Sequence, residues 1–67
     1  MEIYVFIERE NSTKAVSVQG NTVHDLLKEV KINPETVIVV RRSEVITEKE
    51  LLQDQDQLEL LSVISGG

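Results

Sequence analysis

The sequence predicts an α+β domain, a mixed sheet of four to five strands with one helix packed across one face. Three observations carry that expectation. Segments with period-two alternation bracket a single segment of helical spacing. Their order is strand, strand, helix, strand, short strand, strand. All of it fits in 67 residues, so a hairpin, one crossing helix and further strands must share one core.

Ile3, Val5 and Ile7 alternate with Tyr4 and Phe6, and the polar run from Glu8 to Ser12 follows. Alternation with β-branched residues reads as a strand and the polar cluster as a hairpin turn. Lys14 to Val18 is the second strand, with Val16 and Val18 on one face, and Gln19-Gly20-Asn21 ends it. Thr22 stands three residues before Asp25, the spacing of a capping box. Behind it Val23, Leu26, Leu27 and Val30 recur at helical spacing, which predicts a helix from Val23 to Lys31 stopped at Asn33-Pro34. So short a helix must dock on a sheet to persist. Val37 to Val40 is a third, more fully apolar strand, and Arg41 to Glu44 turns the chain into a brief Val45-Ile46 segment. Glu48 to Gln55 reads as a short turn or single helical turn carrying Leu51 and Leu52, and Leu58 to Ile64 as the last strand. The first and last strands are expected side by side, parallel, in the middle of the sheet. The expected core is Ile3, Val5, Ile7, Val16, Val18, Val23, Leu26, Leu27, Val30, Val37, Val39, Leu58 and Leu60.

Composition excludes several functions. With no Cys, neither a disulfide, a thiolate metal site nor a Cys nucleophile is available, and a single histidine makes a triad or His-based metal site a poor expectation. Seven basic against twelve acidic residues give a net charge of −5, which phosphate backbones repel, and one Tyr and one Phe make no base-stacking platform. Direct nucleic-acid binding is therefore not expected. No apolar run approaches the roughly 18 residues of a membrane span, and residues 1–10 lack the basic region of a signal peptide. The expectation is a soluble, cytoplasmic monomer. Its acidity suits a basic groove on another protein.

The sequence ends Ser65-Gly66-Gly67. Two glycines at those positions by chance is about a 1-in-200 event, given a Gly frequency of roughly 7%. The strand order, with a diglycine after the last strand, resembles the β-grasp fold of the ubiquitin-like superfamily over the whole chain. At this length it is most similar to the sulfur carriers of the ThiS and MoaD type and to the small archaeal modifier proteins. Residues carrying the resemblance are Asn33 to Val40, the passage from Leu52 to Leu60, and the ending Val63 to Gly67. Two departures stand out. Gln55 lies between two acids where the family often has Gly, which predicts a looser or differently shaped turn. Arg42-Ser43 replaces the usual Asn-Gly or Asp-Gly hairpin, which leaves that register open.

The resemblance implies a chain that is a substrate and not an enzyme, with a domain over residues 1–64 and a flexible tail over residues 65–67. A ubiquitin-activating-enzyme-like adenylyltransferase would use ATP to adenylate the Gly67 carboxylate. Sulfide, a thiol or a lysine amine would then take the acyl group. Partners so implied are that adenylyltransferase, target proteins or sulfur-acceptor enzymes, and a metalloprotease that removes conjugates; the chain itself would bind no cofactor and no metal. Lacking Cβ atoms, Gly66 and Gly67 form a thin thread with permissive backbone angles. Strand alternation places Tyr4, Phe6, Ile38, Val40, Leu61 and Val63 on the face opposite the helix, as an expected docking surface. His24, Arg41 and Arg42 are expected to be solvated. Lys14, Lys28, Lys31 and Lys49 are candidate acceptors for chain formation, read first as plain surface lysines. A protein modifier, a sulfur carrier serving tRNA thiolation, molybdopterin or thiamine, and an interaction module that leaves its tail unused all remain open at this point.

Overall fold

The structure, a computed structural model, describes residues 1–63. Five strands form one mixed sheet: β1 (Glu2–Ile7), β2 (Ser12–Ser17), β3 (Val37–Arg41), β4 (Glu44–Ile46) and β5 (Gln57–Ser62). A single helix, α1 (Val23–Glu29), lies between β2 and β3 in sequence. The strand order across the sheet is β2-β1-β5-β3-β4. β5 is central and pairs parallel with β1 and antiparallel with β3. The expected parallel pairing of first and last strands is what forms.

β1 and β2 join through a 3-10 turn over Glu8–Glu10, and Asn11 (φ 49°) closes it in the left-handed region that Asn tolerates. Because that turn is tight, β2 begins at Ser12, two residues earlier than the alternation suggests. Val18 lies beyond the strand but keeps its pairing: its N–H donates to the Met1 carbonyl at 2.8 Å, and the Met1 amine donates to the Val18 carbonyl at 3.0 Å.

Thr22 caps α1 as its spacing predicts. The Asp25 N–H donates to Thr22 Oγ1, while Asp25 Oδ2 accepts from the Thr22 hydroxyl at 2.9 Å and from the Thr22 and Asn21 N–H groups. Gly20 makes room for this cap, since a Cβ there would overlap the Asp25 side chain. Those donors hold the Asp25 carboxyl below its ordinary value, with the Thr22 hydroxyl as the main cause. The helix ends two residues before Lys31. Lys31 itself turns left-handed (φ 59°), and its N–H donates to the Lys28 carbonyl while the Ile32 N–H donates to the Leu27 carbonyl. This pair of bonds is a Schellman stop. Helix termination thus precedes Pro34, which opens a 3-10 turn over Pro34–Thr36 capped by Asn33.

Two further turns settle the departures noted in the sequence. Arg42 (φ 53°) and Ser43 (φ 66°) adopt consecutive left-handed conformations, and Arg41 faces Glu44 in the ladder. This is the two-residue hairpin that Asn-Gly favours, here made by Arg-Ser. Gln55 has φ 69°, the conformation that a glycine would adopt freely, so the turn keeps its shape and is not loosened.

The buried core is Ile3, Val5, Ile7, Val18, Val23, Leu26, Leu27, Val39, Leu52, Leu58 and Leu60. Leu52 joins it unexpectedly. Residues 48–55 form no helix; the Leu52 N–H donates to the Asn21 carbonyl at 2.7 Å, and Thr22 and Leu51 form a bridge. That bond pins the segment beside the helix N-terminus with Leu52 inward and Leu51 outward. Val16, Val30 and Val37 are only partly buried, together with Ile32 and Ile46. They occupy an edge strand, the helix C-cap and a strand start, where the seven-residue helix gives less cover. No helix among the described residues is long and apolar enough to cross a membrane.

Candidate functional site

β5 is the last strand among the described residues, and groups from other segments hold its end. β1 stops at Ile7, opposite Leu60, so the backbone partner that Ser62 needs on that side is absent. The Glu8 side chain replaces it: its Oε1 accepts from the Ser62 N–H at 3.0 Å. On the other side the Val63 N–H donates to the Thr36 carbonyl at 2.9 Å. The last strand is therefore held on both flanks up to its end. Ile64, Ser65, Gly66 and Gly67 lie outside the described residues, and so do the expected end of the strand at Ile64 and the diglycine.

The face opposite α1 holds the expected docking residues. Ile3, Val5 and Ile7 turn inward, which puts Tyr4 and Phe6 on the open side. Ile38 stands opposite Leu61, and Val40 opposite both Glu59 of β5 and Val45 of β4. Ile38 and Val63 are 40% and 39% exposed, whereas Tyr4, Phe6, Val40 and Leu61 are half-buried against one another's strands. The six do not form one continuous patch. Gln57 and Glu59 of β5 run between Tyr4 and Phe6 on one side and the β3 residues on the other.

Sequence reasoning missed two members of this face. Val45 is 72% exposed, the most exposed large apolar side chain among the described residues. Glu59 sits at the centre, beside Phe6 on β1 and Val40 on β3. Val45 was within reach: once Arg42-Ser43 is a two-residue turn, alternation alone places Val45 beside Val40. Tyr4 donates its hydroxyl to Glu2 Oε1 at 3.1 Å, and that bond, with the nearby carboxylate charge, raises the phenol above its ordinary value.

Arg41 is not the solvated charge that the sequence suggests. Its Nη1 donates to the Leu51 carbonyl at 2.9 Å and to Asp56 Oδ2 at 3.3 Å, and its Nη2 donates to Glu50 Oε2 at 2.9 Å. With its side chain only 22% exposed, it fastens the segment carrying Leu52 to the end of β3. Arg42, one residue on, is exposed, and it lines an open-face groove with Tyr4, Phe6, Gln57 and Glu59. His24 is exposed with Nδ1 3.7 Å from Glu48 Oε2. Lys14 pairs with Glu10 at 2.9 Å, and Lys28, Lys31 and Lys49 are exposed. No group of three or more His, Cys, Asp or Glu side chains among the described residues is arranged to hold a metal ion.

Comparison with known proteins gives this arrangement its context. Residues 4–67 match the ThiS family model. A sulfur carrier protein of Thermus thermophilus, TtuB, is 46% identical over 55 residues, which is 81% of this chain and 85% of that protein. Among solved structures, the crystal structure of SAMP1 from Haloferax volcanii superposes with a TM-score of 0.75 at 22% identity, covering the whole of both chains. A ubiquitin-like protein from Caldiarchaeum subterraneum superposes with a TM-score of 0.64 at 22% identity, over 98% of this chain and all of its own. The two structures establish the ubiquitin-like β-grasp fold.

Proposed function

The chain belongs to the ThiS family, and we propose that it is a sulfur carrier whose working atom is the Gly67 carboxylate. A carboxylate oxygen attacks the α-phosphorus of ATP on a partner adenylyltransferase, and pyrophosphate leaves. Hydrosulfide then attacks the acyl carbon, AMP departs with its bonding electrons, and a thiocarboxylate remains. If a lysine amine takes the place of hydrosulfide, the same adenylate gives an isopeptide bond and the chain acts as a protein modifier. ATP and every general acid or base belong to the partner; this chain is the substrate and works in the cytoplasm. The observation that most supports the reading is that the family match runs on through Gly66 and Gly67. Without a Cβ at either residue the acyl carbon is open to attack, and the thread fits a narrow catalytic slot.

The partner must also hold the body of the domain, and the open face is where it docks. Leu61 stands next to the tail on the strand that carries it, opposite Ile38. Leu61→Asp raises the apparent KM for adenylation by about tenfold or more, the equivalent of one lost contact of about 1.4 kcal/mol, without unfolding the chain. If that variant unfolds, Leu61 is core and the docking role is wrong.

The deciding experiment expresses the N-terminally tagged chain in its own host, with and without Gly66-Gly67, and purifies it under denaturing conditions. Intact mass showing one oxygen replaced by sulfur identifies the carrier. A ladder of larger tagged species that vanishes on deletion identifies protein modification. Unmodified chain alone, in cells where the pathway is running, refutes both. No Lys or Arg follows Lys49, so trypsin leaves Glu50 to Gly67 on any conjugated lysine. Ser65→Arg shortens that remnant to diglycine.

A further inference from the structure

We propose that Glu59 is the specificity-determining residue of the open face, and that it receives an arginine of the activating enzyme; this rests on the docking role given to that face above. Glu59 is exposed on the central strand, and the ladder sets it directly between Phe6 and Val40, with Val45 one strand further out. Apolar side chains thus flank this carboxylate on both neighbouring strands, while Gln57 precedes it and Leu61 follows it on the same face of β5. Among the described residues it forms no ion pair. Arg41 is bound to Glu50 and Asp56, and Lys14, in register with the inward-facing Val5, lies on the helix side of the sheet. Arg42 lines the same groove but makes no ion pair with Glu59.

Any partner that covers Ile38, Val40 and Leu61 takes water away from Glu59. An ionised carboxylate buried without a counter-charge costs more than a few apolar contacts return, so a docking partner must bring a cation to this point. Arginine suits it better than lysine. A guanidinium can meet both carboxylate oxygens in one plane, and Phe6, in register with Glu59, puts an aromatic side chain beside that position. A net charge of −5 steers a basic partner to the chain in the same sense. A second copy of this chain is the wrong occupant, because two-fold packing of the open face brings equivalent carboxylates together. Glu2, on the same face, is bonded to Tyr4 and adds further negative charge.

The test is ATP–pyrophosphate exchange catalysed by the adenylyltransferase of the same organism, with the full-length chain as substrate. Glu59→Gln raises KM about tenfold and Glu59→Arg about a hundredfold, with kcat unchanged, as expected for lost docking and not for lost chemistry. Thermal melting of both variants stays with wild type, since the side chain is exposed. One Arg→Glu substitution on the enzyme restores exchange with Glu59→Arg, and the corresponding Lys→Glu substitutions do not. If Glu59→Arg works as well as wild type while Leu61→Asp is impaired, the face docks and the role of Glu59 is overturned. Rescue by a lysine site, or by no arginine site, overturns it too. If wild-type chain itself supports no exchange, the carrier reading fails first and takes this inference with it.

Discussion

Replacing Gln55 by glycine stabilises the domain. Gln55 holds φ 69° at the turn into β5, where a residue with a Cβ incurs roughly 1–2 kcal/mol from crowding against the following carbonyl. Glycine avoids that crowding but gives back about 0.5–1 kcal/mol through the greater freedom of the unfolded chain. The net gain is about 0.5–1 kcal/mol. Nothing else is lost, because the turn is held through its backbone and its aspartates. The Gln55 N–H donates to the Glu2 carbonyl, the Asp56 N–H donates to the Gln53 carbonyl, and Asp54 Oδ1 accepts from the Glu2 N–H at 2.8 Å. For 67 residues the entropy of unfolding converts 1 kcal/mol into about 7 °C. Gln55→Gly is therefore expected to melt about 4–7 °C above wild type, read by far-UV circular dichroism with coincident near-UV or calorimetric transitions. Gln55→Ala supplies the control, since it removes the side chain and keeps the Cβ. A glycine variant that melts at or below wild type, or an alanine variant that gains as much, refutes the reasoning.

Two other predictions read different contacts. Arg41→Met keeps the aliphatic stem but removes the counter-charge of the Asp56 carboxylate, whose side chain is 10% exposed and which keeps only the Gln53 N–H as a donor, and frees the Leu51 carbonyl. The expected loss is about 2 kcal/mol by urea denaturation, against under about 0.5 kcal/mol for Arg42→Met on the exposed turn; equal effects at the two sites would remove the clamp. Asp25, with its carboxyl held below the ordinary range, contributes stability that is present above the unfolded carboxylate value near 4 and disappears as pH falls through the lower folded value. Asp25→Asn is expected to flatten the pH dependence of the melting temperature below about pH 4, and an unchanged slope there would remove the linkage.

Much of the fold was legible because one residue pattern determined each element. Alternation in β1, the Thr22–Asp25 cap and the helical spacing from Val23 to Val30 agree with one another and with a single core. Strand and helix ends were less legible, for a specific reason. The stops at Asn11, Lys31, Arg42, Ser43 and Gln55 all use left-handed backbone, and not one of them is glycine. Reading turns from glycine positions therefore locates none of them. Lys31 shows the cost: its apolar-periodic neighbours argue for continued helix, and only the bonds from the Lys31 and Ile32 N–H groups reveal the stop. Leu52 was missed for another reason. Its burial depends on a backbone bond to Asn21, far away in sequence, which no local period encodes.

The candidate site divides along the same line. Residue types made the diglycine legible, whereas the open face depended on register, which a one-residue slip would invert. Here the register is fixed by one local turn at the sheet's edge and by one long-range pairing at its centre. The Arg42-Ser43 turn brings Val45 beside Val40, and the parallel pairing of β1 with β5 brings Phe6 beside Glu59. The same central strand that presents Glu59 and Leu61 outward packs Leu58 and Leu60 inward and then leads to the tail. Truncating Leu60 would cost about 2–5 kcal/mol, a large share of the roughly 3–10 kcal/mol available to a domain this small. The strand that precedes residues 64–67 is thus anchored by two core leucines. On the proposed carrier reading, a partner that grips the outward side of that strand at Leu61 sits only a few residues, in sequence, from Gly66-Gly67.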